Sequence, residues 1–130
     1  MIDLHPTTCN ICGGKVIYTT NARIYGKEYG SGKMYYCTKC HAYVGTHKPR
    51  PKEALGLLAD AEMRRLKEEC HELFDKKWKD KSTSKQRHNA RYWAYVDLAD
   101  KMGISVEECH FGWFDKEELL KALSILRSEK

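Results

Sequence analysis

Apolar and polar residues change their spacing along this chain. From Thr8 to Val44 the pattern is short and strand-like. Lys15-Val-Ile-Tyr-Thr-Thr20 is rich in β-formers, and Met34-Tyr-Tyr36 reads as a return strand after a glycine-punctuated turn region from Tyr25 to Lys33. His41-Ala-Tyr-Val-Gly45 predicts a third short strand. Thr46-His-Lys-Pro-Arg-Pro51 reads as a linker, because two prolines one residue apart hold the backbone extended and cannot continue a helix. Beyond it the spacing becomes helical. Leu55, Leu58, Leu66, Leu73 and Phe74 follow a partial stripe within Ala54–Trp78, with Asp60 placed to cap, so a short helix running into a longer one is expected. Lys79-Asp-Lys-Ser-Thr-Ser84 breaks the pattern. Ala90, Trp93, Val96 and Ala99 then recur at roughly helical spacing up to Gly103, which has the place of a helix C-terminus. Ser105 can cap a short turn through Glu108. Asp115, followed by Glu117 and Glu118, opens a last helix carrying Leu119, Leu120, Leu123 and Leu126. No internal repeat or low-complexity segment interrupts this order.

Four of the six cysteines stand as two Cys-x-x-Cys pairs, Cys9/Cys12 and Cys37/Cys40, with 24 residues between the pairs. Two thiolates three positions apart on a tight turn can point at one ion, and this spacing is close to that of zinc ribbons. The expectation is one structural Zn2+ in a closed four-thiolate shell, which leaves no coordination position for water. His41 and His47 lie near enough in sequence to replace one sulfur, and free or redox-active thiols are the competing reading. The fold class that follows is α+β. A ribbon over residues 1–48 carries a short antiparallel sheet and two knuckles, and a helical domain of three to four helices follows over 49–130.

Composition narrows the class of protein. With 32% charged and 42% hydrophobic residues, the chain has the make-up of a soluble folded protein. No run reaches the roughly 20 apolar residues that cross a bilayer, and no basic-then-apolar leader opens the chain, so no membrane partner and a cytoplasmic location are expected. Charge is uneven. Residues 1–52 hold eight Lys and Arg against Asp3 and Glu28, a net +6, whereas residues 53–81 sum to −1 and residues 82–130 to zero. A basic module on a neutral body suits a polyanion, and equally a merely solvated surface.

Cys9-Asn-Ile-Cys-Gly-Gly14, Asn21-Ala-Arg-Ile-Tyr-Gly26, Tyr29-Gly-Ser-Gly32 and Cys37-Thr-Lys-Cys-His-Ala-Tyr-Val-Gly-Thr-His47 carry a family resemblance. It extends through Ala54-Leu-Gly-Leu-Leu-Ala-Asp60, His71-Glu-Leu-Phe-Asp75, Trp78, Arg91-Tyr-Trp-Ala-Tyr95, Leu98-Ala99 and Cys109-His110. The chain resembles the small zinc-finger-containing proteins of bacteriophages and prophages. That resemblance implies a phage context, hence a bacterial host cell, and a zinc ribbon. It implies no reaction.

Two further constellations bear on function. Asn21, Arg23, Tyr25, Lys27, Tyr29, Lys33, Tyr35 and Tyr36 interleave basic and aromatic groups around the ribbon hairpin. Bases stack on such rings and phosphates meet the cations, so Arg23, Tyr25, Lys27, Lys33, Lys39, Lys48 and Arg50 are the candidate nucleic-acid contacts. The plainer alternative is that the tyrosines cover a sheet too small to have a core. Cys70-His71 and Cys109-His110 are each followed by Phe-Asp, at Phe74-Asp75 and Phe114-Asp115. His71 and Asp75 share a helix face four residues apart, so His71, Asp75 and His110 are candidates for a catalytic or second-metal site. Against that, buried Cys is usually inert, and a His–Asp pair is usually a structural bond, which puts His71 on the inner face of its helix. Leu98-Ala-Asp-Lys-Met-Gly-Ile-Ser105 weakly resembles the turn of a helix-turn-helix, but Glu107 and Glu108 would face phosphate, which favours a packing role. No phosphate loop, nucleophile elbow or zinc-protease motif is present. Nucleic-acid binding through the ribbon is therefore the leading expectation. A protein-binding effector acting on a host enzyme or defence system is the rival, and a small hydrolase using His71, Asp75 and His110 is the third reading.

Overall fold

A computed structural model describes residues 2–129, and within it the chain divides into two compact units at Glu62/Met63. The first holds a three-stranded antiparallel sheet in the order β1 (Val16–Thr20), β2 (Lys33–Cys37), β3 (Tyr43–Gly45). One short helix, α1 (Ala22–Tyr25), lies in the β1–β2 connection. The register sets Val16 opposite Cys37, Tyr18 opposite Tyr35 and Tyr35 opposite Val44. Cross-strand partners share a face of the sheet, so this register places Val16, Tyr35, Cys37 and Val44 together. They form a small core with Cys9, Ala42, Ala54 and Leu58.

The segment after the two prolines completes that core and forms no short helix. Ala54 bridges Thr46 and Ala59 bridges Tyr43, and Ala54 and Leu58 are buried. β3 is an edge strand of three residues, and its unpaired amides and carbonyls need partners that the returning chain supplies. The Tyr18 hydroxyl donates to the Pro51 carbonyl at 2.7 Å and the Tyr35 hydroxyl to Lys52 at 2.6 Å, which secure the same segment from below. Asn10 acts as a second clasp: its amide donates to the Leu58 carbonyl at 3.0 Å and accepts from the Leu58 N–H at 2.9 Å.

The second unit is helical: α2 (Ala61–Asp75, opening just before the division), α3 (Ser84–Met102) and α4 (Lys116–Ser128). Two 3-10 turns, Val106–Glu108 and Phe111–Trp113, join α3 to α4. Asp115 caps α4 as expected, in a reciprocal box with Glu118, and Thr83 forms the same box with Gln86 at the start of α3, whereas the Ser105 side chain makes no cap bond. Gly103 closes α3 in the left-handed conformation. The core takes Leu66, Cys70 and Phe74 from α2, Leu98 and Met102 from α3, and Leu119, Leu123 and Leu126 from α4. Phe74, Tyr95, Phe111 and Phe114 add an aromatic cluster with Phe74–Tyr95 centroids at 4.4 Å and Phe111–Phe114 at 5.9 Å.

Two expectations change here, and the packing role expected of Leu98–Ser105 does not. The buried stripe of α3 is Ala94, Leu98, Ala99 and Met102, while Trp93 points to solvent, because the N-terminal half of that helix is almost wholly exposed. Leu120 is exposed and Ala122 takes the inner position on α4. The Leu98–Ser105 turn leads into a three-residue 3-10 turn, too short to serve as a recognition helix. Among the described residues, no helix is long and apolar enough to cross a membrane.

Candidate metal centre

The two knuckles are built alike. In the first, Gly13 turns back to the Cys9 carbonyl at 3.0 Å and takes φ +74°. In the second, His41 bonds the Cys37 carbonyl at 3.0 Å and takes φ +68°. Each left-handed residue directly follows the second cysteine of its pair, where the chain must reverse to bring both sulfurs to one point. His41 tolerates a conformation suited to glycine while its Nδ1 bonds the Tyr36 hydroxyl. The Gly14 position has no room for a side chain, since a Cβ there would lie 2.6 Å from Lys39 Cβ and 3.1 Å from the sulfurs of Cys12 and Cys37.

The four sulfurs lie within 4.8 Å of one another. Cys9 and Cys40 are 3.7 Å apart and Cys12 and Cys37 3.5 Å apart. These separations are far beyond a disulfide bond of roughly 2.05 Å. They approach the edge of roughly 3.8 Å expected for a tetrahedron with zinc–sulfur bonds of roughly 2.3 Å. Backbone N–H groups point at the sulfurs: Ile11 at Cys9 (3.4 Å), Gly14 at Cys12 (3.3 Å), Lys39 and Cys40 at Cys37 (both 3.4 Å). Such donors stabilise thiolate charge. Without metal, burial pushes the Cys37 thiol up, but those amides and its bonds to Cys12 and Cys40 carry it down to about 6. The Ala42 amide lowers Cys40, yet burial and its bonds to the neighbouring thiols push it up to about 12. Metal uptake must therefore release protons. The donor set and its spacing fit zinc. No imidazole joins the cluster, so His41 and His47 are not ligands.

A closed four-thiolate shell on a three-stranded sheet, followed along the chain by a helical unit, defines an α+β zinc-ribbon protein with one structural Zn2+. The chain belongs to the family of zinc-finger-containing domains, whose model matches residues 5–129. No curated protein and no solved structure matches it.

The basic and aromatic residues of the ribbon are distributed unevenly. Arg23 sits on α1 with its guanidinium 5.1 Å from the Tyr36 ring centroid, and Lys27 Nζ lies 5.3 Å from that of Tyr29. The rings of Tyr25 and Tyr29 stand perpendicular with centroids 5.6 Å apart, and both are exposed. Lys33 is 3.9 Å from Glu28, a loose exposed pair. Lys39 is exposed on the second knuckle, and Lys48 and Arg50 lie exposed before Ala54. Arg50 is paired to Glu53 at 2.8 Å. Tyr35 is buried and hydrogen-bonded, so it belongs to the core and not to the surface. Asn21 is likewise buried: its amide donates to the Tyr29 carbonyl at 2.7 Å and accepts from the Tyr29 N–H at 3.1 Å, holding the turn. Tyr25, Tyr29 and Lys33 border an open pocket of about 550 Å³ together with Ser31, Thr46 and Leu55. Ser31 and Thr46 carried no functional signal in sequence, and Leu55, expected on an apolar helical stripe, is instead exposed outside any helix with its N–H on the Gly45 carbonyl, because only strand pairing and the returning segment bring the three to one rim.

The second constellation is dispersed among other partners. His71 is exposed, not on the inner face, and its ring packs edge-on to Phe111 at 4.8 Å. Asp75 accepts from the Trp78 indole at 3.1 Å and pairs with Lys79 at 3.3 Å. His110 packs on Trp113 at 4.2 Å. Cys70 and Cys109 are buried, and burial pushes each thiol up to about 11, which makes them inert. Among the described residues the four ribbon cysteines are the one group of three or more His, Cys, Asp or Glu side chains placed to share a metal. His71, Asp75 and His110 form no second metal centre.

Proposed function

We propose that this protein is a phage-associated accessory protein that binds nucleic acid through its zinc ribbon in the cytoplasm of a bacterial host. The observation that supports this most is the gathering of exposed Arg23, Lys27, Tyr25 and Tyr29 on one connection of a module whose first 52 residues carry a net +6. Cations can meet phosphates and tyrosine rings can stack on bases, while the Asn21 side chain, bonded to both backbone groups of Tyr29, holds the connection. Arg23→Ala combined with Lys27→Ala and Lys33→Ala should weaken binding to single-stranded DNA. It should also flatten the slope of log affinity against log salt by up to about 2, at roughly 0.7 per lost phosphate contact. Zinc content should be unchanged. A slope equal to wild type would refute this reading.

A second reading, a protein-binding effector that inhibits or redirects a host enzyme or defence system, draws on α3. Trp93 is 65% exposed and Tyr92 52%, with perpendicular rings at 5.4 Å. Exposed tryptophan beside tyrosine is typical of interface anchors. Capture of partners from host cells with and without nuclease treatment separates the two: a protein partner that survives nuclease and is lost with Trp93→Ala favours the second.

A further inference from the structure

The open pocket of the ribbon has a chemistry more specific than a basic surface. One side is aromatic, with Tyr25 and Tyr29 perpendicular and exposed. Its polar floor is the Ser31 and Thr46 hydroxyl pair, 2.6 Å apart, where either oxygen can donate to the other. Both hydroxyls also bond the Lys33 backbone, Ser31 accepting from its N–H at 3.2 Å and the pair donating to its carbonyl, so the floor is held in place and offers oxygen lone pairs to a donor on a base edge. Lys33 stands at the rim with Leu55 as an apolar contact, and Lys27 lies against the Tyr29 ring. The volume of about 550 Å³ falls within the range of small-ligand sites.

We infer that this pocket receives one unpaired nucleobase of a single strand, with Lys27 and Lys33 on the flanking phosphates. The inference rests on the nucleic-acid reading above and deepens it. A flat, π-faced group matches perpendicular tyrosines, and phosphate matches two ammonium groups held only by a loose exposed pair with Glu28 and by the Tyr29 ring, whereas an apolar peptide side chain would gain nothing from either lysine. A base stacked inside a duplex cannot enter, so single strands bind in preference to duplex.

The test compares two fluorescent strands of about 12 nucleotides, oligothymidylate and an abasic strand with the same phosphates. Wild-type protein should bind the abasic strand about 5- to 150-fold more weakly. Tyr25→Ala with Tyr29→Ala should abolish that difference while binding the abasic strand as wild type does. Should the double variant lose its zinc, Tyr25→Ala alone should narrow the difference. Equal affinity of wild type for both strands would overturn the pocket inference and leave phosphate binding standing. A preference that survives the tyrosine substitutions would also overturn it, because the base contact would lie elsewhere. No measurable binding to either strand would overturn both readings.

Discussion

Gly14→Ala tests the metal centre through packing, with every ligand left in place. The added methyl would come 2.6 Å from Lys39 Cβ and 3.1 Å from the Cys12 and Cys37 sulfurs. Carbon atoms prefer separations of roughly 3.5–4.0 Å, so the methyl intrudes by about 1 Å, and its neighbours are a backbone-proximal carbon and two ligand atoms that cannot swing away. Overpacking of this kind costs about 1–3 kcal/mol. The strain exists only when both knuckles converge, so it falls on the metal-bound state and should weaken zinc binding about 5- to 150-fold. Competition against a chromogenic zinc chelator measures that ratio, and cobalt substitution reports whether four thiolates still ligate. Cys37→Ser, which removes a ligand, gives the upper limit as loss of metal together with ribbon structure. Lys39→Gly removes the closest carbon and should restore part of the loss in the double variant, leaving only the sulfur contacts. Zinc affinity unchanged in Gly14→Ala, or a double variant no better than the single one, would refute the packing argument.

Two further outcomes concern the helical unit. His71→Ala should cost only about 0.5–1 kcal/mol in thermal melting, because the side chain is exposed and loses mainly its edge contact with Phe111. Desolvation, outweighing the pull of Asp75 and aided by Lys67, Arg91 and Lys79, holds the His71 imidazole below its ordinary value of 6.5. Its neutral form therefore favours the folded state: the contribution is complete above 6.5 and declines as pH falls through the folded value, so the gap between variant and wild type should narrow in acid. A gap that widens in acid would show the sign to be wrong. Glu129→Gln removes the carboxylate that joins Lys77 and Lys101. Burial pushes that carboxyl up, but the two lysines carry it below its ordinary 4.5. Its contribution is thus present above 4.5 and lost as pH falls further, and with Lys101 largely in solvent it should stay below about 1 kcal/mol. Urea titrations of both proteins at neutral and acid pH check this, and a difference independent of pH would refute it.

The amino-acid sequence by itself determined what depends on short-range geometry. Two Cys-x-x-Cys turns specify a four-thiolate site because each pair is positioned by its own local backbone, and a β-forming run delivers Cys37 to its partner. Asp115 and Gly103 mark helix ends for the same reason, since caps are satisfied within one turn. Tertiary structure alone decided which side chains are covered. Tyr35 is buried and Tyr25 exposed although both lie in the same aromatic-rich hairpin region, because the returning segment from Pro51 to Leu58 covers the Tyr35 face. Periodicity announced α3 but misplaced its inner face, for Ala90 is only half-buried and Trp93 exposed on the N-terminal half of the helix, which is mostly open to solvent. His71 and Asp75 have the spacing of a bonded pair, yet Trp78 and Lys79 lie equally near Asp75 along the chain and take its carboxylate. Spacing sets which groups can meet, and burial and competition among partners, both non-local, set which of them do.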